Sequence, residues 1–136
     1  MAAKNPTEEQ FRRLKEREGQ GPFVMVNLLK FSREGRAKGE DGREAYERYA
    51  RAVNPLLREV GARLLWLGSV DQVFIGGEAD GFDHVMLVEY PSRQAFLRMV
   101  SSPGYLKANE DREAGLERAV LLAADPMFSR WAEPSG

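Results

Sequence analysis

The chain has 136 residues, enough to bury one core without disulfides or a structural metal, so a single domain spanning 1–136 is expected. Twenty Lys and Arg stand against 21 Asp and Glu, a formal charge of −1 with no basic block, which argues against a nucleic-acid partner. Cysteine is absent and His84 is the sole histidine, which removes thiolate chemistry and disulfides; no metal and no cofactor are expected.

The first residues carry many charges and no apolar core of the signal-peptide type, and no apolar run approaches the ~18 residues of a membrane helix, so a cytoplasmic protein off the membrane is expected. Thr7 followed by Gln10 is a capping-box pattern and opens a short peripheral helix over 8–18, with only Phe11 and Leu14 on its apolar side. GQGP at 19–22 breaks it.

VMVNLLKF, 24–31, is a strand with apolar residues on both faces: Val24, Val26 and Leu28 on one, Met25, Leu29 and Phe31 on the other. Two polar residues interrupt it. Lys30 falls on the first face near the strand end, where it can reach water or a carboxylate. Asn27 falls on the second, where a buried amide needs either a polar network or a ligand, since unmade hydrogen bonds cost about 1–3 kcal/mol.

A Gly-rich polar loop follows, and Asp41 caps a long helix whose stripe of Tyr46, Tyr49, Ala50, Val53, Leu57 and Val60 faces the core. Pro55 is expected to kink that helix, and Gly61 to stop it. ARLLWLGSVDQVFIGG, 62–77, reads as one long strand bent at a bulge near Gly68 and Ser69. GGEADGFD is a hairpin loop, and HVMLVEY is a strand ended by Pro91. Ser92 caps a helix with Phe96, Met99 and Val100 inward, SSPGY interrupts it, a second helical piece runs over 105–118, and AVLLAA is the last strand. Residues 125–136 form an arm in which Met127, Phe128 and Trp131 need cover.

The order β, α, β, β, α, β, with a peripheral helix before it and a core over about 22–124, predicts an α+β sandwich of ferredoxin-like topology. Helices cover one sheet face only. The apolar residues on the other face predict a homodimer.

The runs VMVNLLKF, DGREAYERYA, GARLLWLG, FDHVMLVEYPSRQAFLRMV and SSPGY, in this order and spacing, resemble the domain-of-unknown-function family 1330 over 22–124. The resemblance implies the dimeric α+β barrel superfamily, whose members include cofactor-independent monooxygenases, haem-degrading oxygenases, lactone isomerases and ligand-sensing domains. Haem-degrading relatives carry an Asn on the first strand, a Trp ending the third and a His on the next helix. The similar positions here are Asn27, Tyr90 and the region around Asn109, without an iron ligand.

Asn27 and Tyr90, on neighbouring strands, are thus expected to share an apolar pocket and to orient a small aromatic or carbonyl-containing metabolite, steadying a developing oxyanion. Tyr46, Trp66 and Phe96 are candidates for its wall, though each also suits simple core or interface packing. Arg112 is a candidate anion ligand or a partner in a surface ion pair. His84 follows Asp83, but neighbours on a strand point to opposite faces and are badly placed to act as a pair. The expected function is metabolite binding, with cofactor-independent oxygenase or isomerase chemistry; the alternative is a non-catalytic binding or assembly module.

Overall fold

The computed structural model describes residues 4–17, 21–35 and 37–130. The apolar periods generate the expected series: α1 (Glu8–Glu16), β1 (Phe23–Phe31), α2 (Gly42–Glu59), β2 (Arg63–Ser69), β3 (His84–Tyr90), α3 (Arg93–Val100), α4 (Pro103–Gly115) and β4 (Leu116–Ala124). The four strands form one sheet in the order β2-β3-β1-β4, and every neighbouring pair is antiparallel. This is the ferredoxin-like arrangement: each half is a strand, a helical crossover and a returning strand, and the two halves interleave.

Local chemistry sets the ends of the elements. The Thr7 hydroxyl accepts from the Gln10 N–H while the Gln10 side chain accepts from the Thr7 N–H, closing the capping box of α1. That helix ends at Glu16, two residues short of the expected end, with Arg17 extended; Glu18 lies outside the described residues. The side chains of Asp41, Ser92 and Ser102 cap α2, α3 and α4 by accepting from the N–H three residues on. Helix α2 runs through Pro55 for four more residues, and Gly61 at φ +80° ends it in the left-handed conformation that glycine adopts without a Cβ penalty. No described helix is long and apolar enough to cross a membrane.

Three expected boundaries move. The strand expected over 62–77 stops at Ser69, because its last register partner is His84, the first residue of β3; beyond it, one bond from Val70 N–H to the Asp83 carbonyl closes the ladder, and Phe74 and Ile75 lie exposed. The bulge sits between Leu64 and Trp66 rather than at Gly68 and Ser69. Helix α4 starts at Pro103, where a missing N–H costs nothing, and ends at Gly115, so β4 begins three residues before the expected AVLLAA run.

A pair of glycines brings α2 and α4 together. A Cβ on Gly115 would stand 2.6 Å from the Gly42 carbonyl and 2.8 Å from the Tyr46 nitrogen, closer than real Cβ contacts allow. The start of α2 therefore lies directly on the end of α4, which carries Tyr46 toward Arg112. On the sheet, Phe23, Met25, Leu29, Val88 and Tyr90 are buried beneath the helices with Tyr46, Tyr49 and Val53.

Candidate functional site

The helix-covered face of the sheet is not filled. A cavity of about 340 Å³ lies between β1 and β3 below and α2, α3 and α4 above, at the small end of the range of ligand sites. Strand alternation selects its floor: Met25, Asn27 and Leu29 from β1, and His84, Met86, Val88 and Tyr90 from β3. Tyr46, Tyr49, Phe96, Tyr105 and Arg112 form its roof and sides, with Arg43 and Glu47 also on its lining. A second hollow of similar size, lined by Leu56, Glu59, Val60, Arg98, Met99 and Ser102, brings together one carboxylate and one guanidinium and no aromatic ring.

Asn27 is 9% exposed, and its amide orientation is determined by its neighbours. Nδ2 donates to the Met25 carbonyl at 3.0 Å and to the Met86 carbonyl at 3.3 Å; carbonyls only accept, so the NH2 group must face them. Among the described residues Oδ1 accepts no hydrogen bond, yet no buried side-chain oxygen or nitrogen lacks a partner. Oδ1 therefore opens onto the cavity. This corrects the expected role: an amide whose donors are used by backbone cannot steady an oxyanion, but it can accept from a ligand hydroxyl.

Tyr90 lines the same cavity from the other end, stacked on Phe23 at 5.7 Å and edge-on to Phe96 at 4.9 Å. It pairs in register with Phe23, whereas Asn27 pairs with Met86, so the two backbones are separated by four strand positions, roughly 13 Å. They meet different parts of a ligand. Phe96 lines the wall, and Tyr46 is joined there by Tyr49, whose hydroxyl lies 3.1 Å from that of Tyr105.

Trp66 does not reach this cavity. The bulge at Leu65 reverses the alternation, placing Leu64 opposite Val88 and Leu67 opposite Met86 on the cavity side while Trp66 pairs with Leu87 on the far face, 45% exposed. Asn109 also lies outside it: its amide donates to Asn5 and Glu113 at 3.2 Å.

Arg112 is 6% exposed and lines the cavity, so it is not the surface ion pair that its acidic neighbours in the sequence suggest. Asp111 is instead bound by Arg48, which also holds Glu40. Nη1 of Arg112 donates to the Lys4 carbonyl at 2.6 Å, with the amide oxygens of Asn5 and Asn109 at 3.5 Å. All three acceptors are neutral, and no carboxylate pairs with Arg112 among the described residues.

Burial pushes the Tyr46 hydroxyl up to about 12, the charge of Arg112 partly opposing it. Burial likewise raises Tyr49 and Tyr90, so all three are phenols at neutral pH. His84 moves the other way: burial, then the charge of Arg43, lowers it against the opposing pull of Asp83 and Glu47, which favours neutral imidazole. The Asp83 carboxylate accepts from the Phe31 N–H at 2.8 Å, and His84 packs edge-on against the Phe31 ring at 4.9 Å. Tyr49, Tyr105 and His84 join the expected residues on this lining. The parity of 84, 86, 88 and 90 already placed His84 on the face of Tyr90; only the missing dyad with Asp83 drew attention away from it.

Fold and cavity together define a ferredoxin-like α+β protein with a ligand-sized space between sheet and helices. The chain belongs to the domain of unknown function family DUF1330, whose family model matches residues 40–125. A protein of unknown function from Rhodopseudomonas palustris is 31% identical, with 95% of this chain and all of that one covered at a TM-score of 0.88. Two more distant structures share the fold: a dimeric ferredoxin-like protein of unknown function from Bacteroides fragilis (11% identity, 79% of this chain and 99% of that one, TM-score 0.52) and a candidate antibiotic biosynthesis monooxygenase from Caulobacter crescentus (17% identity, 80% and 92%, TM-score 0.53). No curated protein matches the chain.

Proposed function

We propose that the chain binds a small aromatic or carbonyl-containing metabolite in the cavity between sheet and helices and converts it without a cofactor, as an isomerase or an oxygenase. The observation that carries the reading is Asn27: an amide in the middle of an apolar strand, its donors held by backbone and its oxygen turned into an aromatic-walled space. Both reaction types can begin with removal of one proton from the substrate. Neutral His84 suits the proton acceptor, and the protonated Tyr46 hydroxyl suits a donor to the enolate or phenolate oxygen that results. An isomerase returns the proton to another atom; an oxygenase passes electrons from the anion to dioxygen.

A second reading, a binding module without chemistry, is favoured by one feature. Asp83 serves the Phe31 N–H, and among the described residues no carboxylate accepts a hydrogen bond from His84.

We also propose a homodimer closed over the uncovered sheet face. Its register aligns Trp66, Leu87, Val26 and Leu122 in one apolar row across all four strands, with Trp66 and Leu122 exposed in the single chain. Burying such a row against its two-fold copy removes it from water, and the related fold in Bacteroides fragilis is dimeric.

Native mass spectrometry of the purified protein reads both points at once. The expected spectrum is a dimer carrying one small organic molecule per chain, with that molecule lost in Asn27→Ala and slowly converted on incubation of the wild type. A monomer at micromolar concentration contradicts the dimer. A bound molecule retained by Asn27→Ala contradicts the site, and one unchanged after long incubation selects the binding module.

A further inference from the structure

Ion pairs meet several of the arginines among the described residues. Arg93, 4% exposed, pairs with Asp125 at 3.1 Å; Arg48 holds Glu40 and Asp111; Arg63 holds Glu89 at 2.8 Å. Arg112 is the departure. It is nearly as buried as Arg93, but a backbone carbonyl and two amide oxygens are its acceptors. Neutral acceptors satisfy hydrogen bonds without cancelling charge, and an uncompensated ion away from bulk water costs several kcal/mol.

How the guanidinium is held narrows what can compensate it. The Lys4 carbonyl, Asn5 and Asn109 all engage Nη1, and the segment that supplies the first two is itself fastened to α4: Lys4 Nζ donates to the Glu113 carbonyl at 3.1 Å and Asn5 Nδ2 to the Glu113 carboxylate at 2.8 Å. Nε and Nη2 donate to no described residue. Since no buried side-chain nitrogen among the described residues lacks a partner, both have open surface, and the open space that Arg112 lines is the cavity. These two N–H groups form the side-on edge of the guanidinium, whose parallel donors match the two oxygens of a carboxylate.

We infer that the ligand of this cavity is an aromatic or enolic organic acid that bears a hydroxyl: its carboxylate sits side-on against Arg112, and the hydroxyl donates to Asn27 Oδ1. The inference rests on the cavity being a ligand site, as proposed above, and adds the charge and donor pattern of what enters it. Edge-on and tilted rings around the space suit a planar ring between the two polar ends. The α4 helix supplies the cation, and the N-terminal segment sets its orientation.

The test uses three probes of nearly equal size: benzoate, its neutral amide benzamide, and salicylate, which adds a hydroxyl to the acid. Titration calorimetry on the full chain should give benzoate at least tenfold tighter than benzamide, and salicylate tighter than benzoate. Arg112→Met should weaken both acids tenfold or more while benzamide stays within twofold. Arg112→Lys, which keeps the charge without the fork, should recover part of the loss and decides the matter if the Met variant does not fold. Benzoate and benzamide bound equally, with neither Arg112 variant changing the ratio, would overturn the acid while leaving the cavity a ligand site. No binding of any probe at millimolar concentration to folded wild type would overturn both readings.

Discussion

Two arginines are buried among the described residues, and the regions around them differ in one respect. Arg93, at the start of α3, lies over the Phe23 ring at 4.6 Å and pairs with Asp125 just beyond β4; that carboxylate also meets Arg17. The charge is neutralised inside the chain, and the cluster joins α3, the end of β4 and the residue that follows α1. Arg112 is held as firmly, but by neutral oxygens, with one edge left to a cavity. Burial alone therefore does not mark a functional cation. Burial without a counter-charge is the better mark, because folding then leaves a charge with no opposite charge beside it.

If the difference is real, the two arginines should fail in different ways. Arg93→Met should produce the largest loss of stability, about 2 kcal/mol, since it removes the ion pair and the stacking on Phe23; for a chain of this size the melting temperature should fall by about 6–10 °C. Benzoate affinity should remain within twofold. In Arg112→Met the pattern inverts, with stability within about 1 kcal/mol of wild type because no partner carboxylate is orphaned. Calorimetric melting beside titration checks both, and a large stability loss in Arg112→Met with acid binding intact would erase the distinction.

A smaller effect appears in alkali. Tyr46 is raised to about 12 from an ordinary value of 10, so the folded state holds its proton more tightly than the unfolded chain. The stability tied to it is fully present below pH 10 and is lost as pH rises toward 12. Tyr46→Phe should make that limb shallower, by at most one proton or roughly 1.4 kcal/mol per pH unit, with Tyr49 and Tyr90 still contributing. The charge of Arg112 opposes the shift, so Arg112→Met should move the Tyr46 share of the limb to higher pH, whereas Arg93→Met should not move it. Urea denaturation at pH steps from 9 to 12 resolves the difference.

Much of the fold was legible because apolar periodicity and caps are local. Thr7, Asp41, Ser92 and Ser102 each meet the N–H three residues on, a contact within a few residues of chain. The parity of β1 likewise put Asn27 on the side of Met25 and Leu29. What was illegible depended on partners far along the chain. Trp66 was placed on the pocket wall because the bulge was expected after it, near Gly68 and Ser69, whereas the pairing of β2 with β3 sets the bulge before it. The strand expected to continue past Ser69 ended because β3 had not yet begun. Arg112 sits among acidic neighbours in sequence, yet its acceptor on the backbone comes from Lys4, 108 positions away, so neither its burial nor its lack of a carboxylate could be read beforehand. The orientation of the Asn27 amide needed the Met86 carbonyl across the strand pair.

As proposed above, Arg112, and not Arg93, binds an anion. Heteronuclear NMR of the arginine Nε–H groups during a salicylate titration tests it most directly, because both side chains are observed in one sample. The account predicts a saturable shift of the Arg112 Nε–H resonance with the Arg93 resonance unmoved, and no such shift with benzamide. Movement of Arg93 or of exposed arginines, with Arg112 unchanged at saturating salicylate, would contradict it.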